Sequence, residues 1–162
     1  RVEHAKGTLG LVDFWRTLKS RSDIDHHLVL LGSPSIEIES DGDVIITREV
    51  DDEAKWTLLR GADFLINPSA LESFSLVLFE AWAAGVPVLV NGYCETTRTH
   101  VSDAQGGLWY RNYPEFELAV ERLATDKATR NHLAENGRAF GERHYGWDRI
   151  VSQFTEFCHH VV

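Results

Sequence analysis

NPSALESFSLVLFEAWAAGVPVLV, residues 67–90, is the stretch on which the fold turns. It continues Asp63-Phe64-Leu65-Ile66, so a short apolar run ends at Asn67 and is stopped by Pro68-Ser69, the pattern of a buried strand closed by a turn. Apolar residues then recur at helical spacing from Leu76 to Ala84, Gly85 supplies the C-cap, and Pro87-Val88-Leu89-Val90 forms a second strand. Strand, helix and strand joined by loops this short make a crossover, the connection that parallel strands require.

The same alternation extends in both directions. Upstream, Leu9, Leu11, Val12, Phe14, Trp15 and Leu18 share one side of a helix, followed by the strand-like run His27 to Gly32. The turn-rich SPSIEIESDG leads to a β-rich stretch Val44 to Thr47, and Asp51-Asp52 caps a helix through Trp56, Leu58 and Leu59. Downstream of Val90 a polar loop runs from Asn91 to Gly106, then Gly107 to Tyr110 reads as a last strand. Helical patterns follow at Pro114 to Ala124, Lys127 to about Arg143 and Trp147 to Cys158. This order predicts an α/β chain with a Rossmann-like parallel sheet and helices on both faces. At 162 residues and 43% apolar side chains, one domain spanning residues 1–162 is expected. Trp15, Trp56, Trp82, Trp109 and Trp147 fall mostly on the apolar stripes and are read mainly as core.

Composition removes several function classes. A formal charge of −9 supplies no clustered basic surface for nucleic acid or for a membrane face. Cys94 and Cys158 lie far apart with no C-x-x-C partner, so neither a disulfide framework nor a zinc site is suggested. His26-His27 and His159-His160 are adjacent pairs, whose side chains point apart on a strand or a helix, and no metal site is expected from them. No run of about eighteen apolar residues occurs, and RVEHAKGTLG lacks the layout of a signal peptide, so no transmembrane segment and a cytoplasmic setting are expected. The chain has no methionine and starts at Arg1, which reads as a truncated chain.

In a doubly wound sheet, ligands sit at the carboxyl ends of the strands, where loops enter helix N-termini. Two loops qualify here, Pro68 to Ser75 and Asn91 to Gly106. If the first helix after Pro68 opens near Ser75, the backbone N–H groups of Ser73, Phe74, Ser75 and Leu76 face the crevice and favour an anion such as a diphosphate. Glu80 then lies about 6 to 9 Å further along the helix, roughly the span from a pyrophosphate to its ribose hydroxyls. Glu72, with seven residues between it and Glu80, lies at the entrance side of the anion site. There it would bind a donor sugar's hydroxyls or steady positive charge developing at the anomeric carbon.

These residues resemble the E-x7-E segment of the family 4 (group 1) retaining glycosyltransferases of the GT-B fold, here ESFSLVLFE. Arg1-Val2-Glu3-His4-Ala5-Lys6-Gly7 resembles that family's G-R-x4-K-G segment, which implies that Arg1 and Lys6 grip the donor's phosphates. EAWAAGVPVLVNGYCETTRTHV, GGLWY and HYGWDRIVSQF resemble a bacterial subgroup, so the likeness covers nearly the whole chain. Two positions depart from the pattern: Ser73 and Ser75 stand where the family often has glycine, and a positive φ at either would be strained.

The resemblance implies the C-terminal donor-binding lobe of a two-lobed enzyme, with the acceptor-binding N-terminal lobe absent. It implies Glu72 as the catalytic residue, Arg1, Lys6, Ser73 to Leu76 and Glu80 as donor contacts, and no metal or other cofactor. The partners implied are a nucleoside-diphosphate sugar and a glycan, lipid-linked or small-molecule acceptor reached through the other lobe. By the same likeness, backbone around Arg48 to Val50 meets the nucleobase, the full-length protein sits in the cytoplasm or at the inner face of the membrane, and its product is cell-surface polysaccharide or glycan. The isolated lobe would bind donor and transfer nothing. Two other readings remain at this stage, another enzyme on the same fold such as a sugar epimerase or phosphorylase, and a catalytically inactive nucleotide-binding or interaction module.

Overall fold

A computed structural model describes residues 6–32 and 37–161. The element order is α1 (Thr8–Arg21), β1 (Leu28–Leu31), β2 (Val44–Thr47), α2 (Asp52–Gly61), β3 (Leu65–Asn67), α3 (Leu76–Ala83), β4 (Val88–Asn91), α4 (Glu95–Ala104), β5 (Gly107–Tyr110), α5 (Tyr113–Thr125), α6 (Lys127–Tyr145) and α7 (Trp147–Val161). Among the described residues all strand pairs are parallel. Among the described residues the strands form two ladders, β1-β2 and β3-β4-β5, with Leu28 opposite Val44, Leu65 opposite Val88 and Val88 opposite Gly107.

The central strand explains why helices cover both faces. Val88, Leu89 and Val90 are all fully buried, because successive side chains point to opposite faces and each face meets its own core. Leu89 joins Trp15 and Leu18 of α1, Leu30, Val44, and Phe116, Val120 and Leu123 of α5, so one core face spans both ladders. Val88 and Val90 join Leu78, Ala81 and Trp82 of α3 with Val101 and Ala104 of α4 on the other. This is the doubly covered parallel arrangement that the alternation predicts.

Helix termini follow the sequence signals. Asp51 accepts from Ala54 N at 2.8 Å to cap α2, and Asn112 and Asp126 cap α5 and α6 in the same way. After α3, Gly85 takes φ 79° while its N–H donates to Trp82 O and the Val86 N–H donates to Ala81 O, the two bonds of a Schellman stop.

Two expectations are corrected. The segment Asn91 to Gly106 is no continuous loop, since α4 occupies Glu95–Ala104. Its buried positions are Thr97, Val101 and Ala104, a narrow stripe in an otherwise polar helix. The tryptophans also divide: Trp15 and Trp82 are core at 1% exposure each, Trp56 is half-buried, and Trp109 and Trp147 are 40% and 78% exposed. Trp147 lies on α7, whose side chains from residue 147 to 160 are all exposed. Of the cysteines, Cys94 is buried and Cys158 exposed.

Candidate active site at the carboxyl ends of the strands

The strand ends at Asn67 and Asn91 fix the loop that carries the candidate acids. Asn67 Nδ2 donates to Ser75 Oγ at 2.8 Å, and Asn67 Oδ1 accepts from the Ser69 N–H at 3.1 Å. Asn91 Nδ2 donates to Pro68 O at 2.9 Å, tying the end of β4 to the same turn. Ser69, 1% exposed, spans the turn by donating from its hydroxyl to Leu71 O at 2.9 Å. Four polar side chains thus hold residues 67–75 rather than leaving a free loop, and buried polar groups are tolerated because they are satisfied.

The segment before α1 presses onto that turn. Gly7 adopts φ 74° at the helix N-cap, and a Cβ there would lie 2.6 Å from Pro68 O, so only glycine admits both the backbone conformation and the close approach. This contact carries Lys6 to the loop, where its Nζ donates to Glu72 Oε1 at 2.9 Å. The Lys6 side chain is 41% exposed and that of Glu72 15%, so the pair opens on solvent from the lysine side. Residues 66 positions apart are therefore joined at the strand-end crevice.

Ser75 settles one of the two departures from the family pattern. It stands at the N-cap of α3 with φ 68° and ψ 71°, while Ser73 is not among the positive-φ residues. Its hydroxyl makes no capping bond to the helix and accepts instead from Asn67. The first N–H groups of α3 are thus left without a side-chain cap from Ser75, facing the crevice that an anion would occupy. Ser75→Ala is expected to destabilise the fold by about 1–3 kcal/mol, because it strands a buried Asn67 amide while keeping the left-handed backbone. Ser75→Gly loses the same bond but relieves roughly 1–2 kcal/mol of backbone strain. Urea unfolding should therefore rank alanine below glycine, and the reverse order would refute this account of residue 75.

The Phe74 side chain is taken up by aromatic packing. Its ring stacks on Phe79 at 4.8 Å and 6° and meets His100 and Tyr145 edge-on, each at 5.3 Å. The Phe74 ring thereby anchors the loop to α3, α4 and α6. Burial holds the His100 imidazole below its ordinary pKa, with Asp103 pulling the other way, and His100 Nε2 is buried with no hydrogen-bond partner among the described residues. Leu76, 70% exposed, presents its backbone at the helix entrance.

Glu80 projects from the next turn of α3. Its Oε1 accepts from Lys55 Nζ of α2 at 3.0 Å, with the Glu80 side chain 32% exposed and that of Lys55 29%. Residues 48–50, between β2 and α2, are exposed at the carboxyl end of β2. Glu95 opens α4, fully on the surface. The arrangement brings together Lys6, Glu72, the start of α3 and Glu80; Arg1 lies outside the described residues. Sequence reasoning missed Lys55, whose only signal was a cation in the first turns of a helix, and the pins Asn67 and Asn91, whose signal was an amide at each of two strand ends.

Among the described residues no group of three or more His, Cys, Asp or Glu side chains is placed to hold a metal ion, and no helix is long and apolar enough to cross a membrane. What the site can do is bind a dianionic or trianionic group at an uncapped helix start beside one lysine, with carboxylates on either side.

Comparison with known proteins bears on the family and the fold. The D-inositol 3-phosphate glycosyltransferase of Arthrobacter sp. (strain FB24) is 30% identical over an alignment 178 positions long, gaps included, covering 100% of this chain and 41% of that protein. The chain thus spans less than half the length of that relative. Among solved structures, the sucrose-phosphate synthase of Thermosynechococcus elongatus superposes with a TM-score of 0.79 at 22% identity, over 98% of this chain and 43% of the other. WaaG, a glycosyltransferase involved in lipopolysaccharide biosynthesis, superposes at 0.71 and 20% identity, over 88% and 41%. At those identities the likeness speaks to the fold, one lobe of a GT-B architecture. The family described as "Glycosyl transferases group 1" matches residues 1–140, and the chain belongs to it.

Proposed function

We propose that this chain is the donor-binding lobe of a retaining glycosyltransferase, which moves a sugar from a nucleoside diphosphate to a hydroxyl acceptor. The observation that carries the reading is the juxtaposition of the Lys6–Glu72 pair with the uncapped start of α3 and Glu80 on that same helix. Lys6 and the α3 N–H groups meet the diphosphate, with Arg1 adding a second cation, and Glu80 accepts from the ribose hydroxyls. Glu72, set beside the phosphate site and mostly shielded from water, faces the sugar and steadies the charge that grows at its anomeric carbon.

As the bond between anomeric carbon and phosphate oxygen breaks, negative charge accumulates on the departing diphosphate. Lys6, Arg1 and the helix start are the groups that neutralise it, a role a divalent cation fills in other transferases, so metal-independent transfer is the expectation. The acceptor and the rest of its surroundings belong to a second lobe, and the product class proposed is a cell-surface polysaccharide or other glycan.

Calorimetric titration of this chain with UDP, GDP and ADP in the presence of a chelator tests the reading. One of the three should bind saturably, and Glu80→Ala should weaken it by about tenfold or more, the worth of one to two charge-assisted hydrogen bonds. Saturable binding of none of them at millimolar concentration would hand the site to the interaction-module reading.

A further inference from the structure

Glu80 does not stand alone on α3. Lys55 reaches it from the first half of α2, across 25 residues of sequence, with Nζ 3.0 Å from Oε1. The same ammonium lies 3.4 Å from Asp52 Oδ1, but the Asp52 side chain is 92% exposed, and a solvated i,i+3 partner holds a lysine weakly. Nζ also sits 5.6 Å from the centre of the neighbouring Trp56 ring, which limits the directions it can take. The hydrogen bond to Glu80 is the first cause that holds the Lys55 ammonium above the ordinary lysine pKa, ahead of the weaker contribution of Asp52.

Donor counting gives this pair a chemical purpose. A carboxylate has about four acceptor sites, and Lys55 takes one of them on Oε1, leaving Oε2 for a hydroxyl. The ammonium has three N–H groups, of which Glu80 and Asp52 engage two. A vicinal diol presents both a donor and an acceptor at each oxygen, so one ribose hydroxyl can donate to Glu80 and accept from Lys55 at once. A lone glutamate makes only the first of these bonds.

Resting on the reading of Glu80 as the ribose contact, we propose that Lys55 is a positioning residue that fixes the Glu80 carboxylate and donates to the ribose 2′-oxygen, so that the pair selects ribonucleotides over 2′-deoxyribonucleotides. A purely structural strap between α2 and α3 would hold the helices together and leave that selection untouched.

The test uses whichever of UDP, GDP and ADP this chain binds, together with its 2′-deoxy counterpart, in calorimetric titrations. The unaltered chain should prefer the ribonucleotide by about tenfold. Lys55→Met, which keeps the aliphatic stem and removes the donors, should lower ribonucleotide affinity about tenfold and leave the deoxynucleotide within about twofold, so that the ratio falls towards one. Lys55→Arg should restore part of the preference, and Lys55→Met should cost less in a Glu80→Ala background than in the unaltered chain, because the part that acts through Glu80 is already lost. A ribo-to-deoxy ratio unchanged in Lys55→Met, in a protein with unaltered thermal unfolding, would overturn the proposal while leaving the nucleotide site intact. Failure of the unaltered chain to bind any of the nucleotides would overturn the site reading and the proposal together.

Discussion

Lys6→Ala is expected to weaken nucleoside diphosphate binding by about 100-fold or more, through two costs rather than one. Two effects act in the same direction. The first is the loss of a charge-assisted bond to phosphate, worth about 1.5–3 kcal/mol. The second arises because Lys6 is the hydrogen-bonded partner of Glu72, whose side chain is only 15% exposed. Without the lysine, the carboxylate faces the incoming diphosphate unneutralised, a repulsion of about 1–2 kcal/mol at an effective dielectric of ~20 and ~8 Å, discounted for solvent and salt. Glu72→Ala in the Lys6→Ala background should therefore recover about tenfold of the lost affinity, although it removes a residue placed in the site. Titration of the four combinations reads the coupling directly. If the double variant binds no better than Lys6→Ala, Glu72 does not border the phosphate site, and the role proposed for it at the sugar fails with it.

How much of this site the sequence shows depends on whether each contact has a local signature. Glu72 and Glu80 are legible because strand end, turn and helix follow one another within a single segment, and helical rise converts their spacing into distance. Ser75 is half legible: the glycine-to-serine departure flags the position, but only the backbone shows that φ is 68° there and that Asn67 satisfies the hydroxyl. The bonds made by Lys55, Asn67 and Asn91 are not legible, although each residue stands at a helix start or a strand end. Each acts on a residue 8 to 25 positions away or on a backbone carbonyl across the turn, and no period or motif announces a bond made by tertiary folding.

The fold divides in the same way. β4 reads correctly because a continuous apolar run between turn residues is what two buried faces demand. α4 escapes because ETTRTHVSDA carries one strongly apolar residue, and its buried stripe includes a threonine and an alanine. The tryptophans show the opposite error. An apolar stripe announces that α7 is a helix with one greasy face, yet periodicity does not say what lies against that face, and Trp147, Phe154 and Phe157 are exposed at 78%, 68% and 65%. Trp109 points to the opposite face of β5 from Leu108 and Tyr110, and among the described residues β5 pairs with β4 alone, so the ring stays 40% exposed where Tyr110 is buried.

Trp82→Ala is expected to remove about 3–5 kcal/mol of stability, the largest effect foreseen for any single core change here. Trp82 is 1% exposed, packs edge-on against Phe79 at 5.2 Å and Phe140 at 6.1 Å, and its indole Nε1 donates to Gly106 O at 2.9 Å. Truncation opens a cavity between α3, α4 and α6 and leaves the Gly106 carbonyl with only the longer bond from the Val88 N–H at 3.4 Å. The seat of the ring supplies a sharper test of the same packing. Gly137 lies within α6, where helix propensity alone favours alanine by about 1 kcal/mol. A Cβ at residue 137 would fall 2.3 Å from Trp82 Cδ1 and Nε1, and one at Gly106 would fall 2.7 Å from Gly137 Cα. The ring has no free direction, since Phe79 and Phe140 hold it on other sides, so overpacking of about 1–3 kcal/mol outweighs the propensity gain. Gly137→Ala should thus destabilise in guanidinium unfolding, and Trp82→Leu should make the same glycine change nearly neutral or favourable. A stabilising Gly137→Ala in the unaltered core would mean that α6 does not sit on Trp82 as described, and with it would go the aromatic anchorage of the loop that carries Glu72.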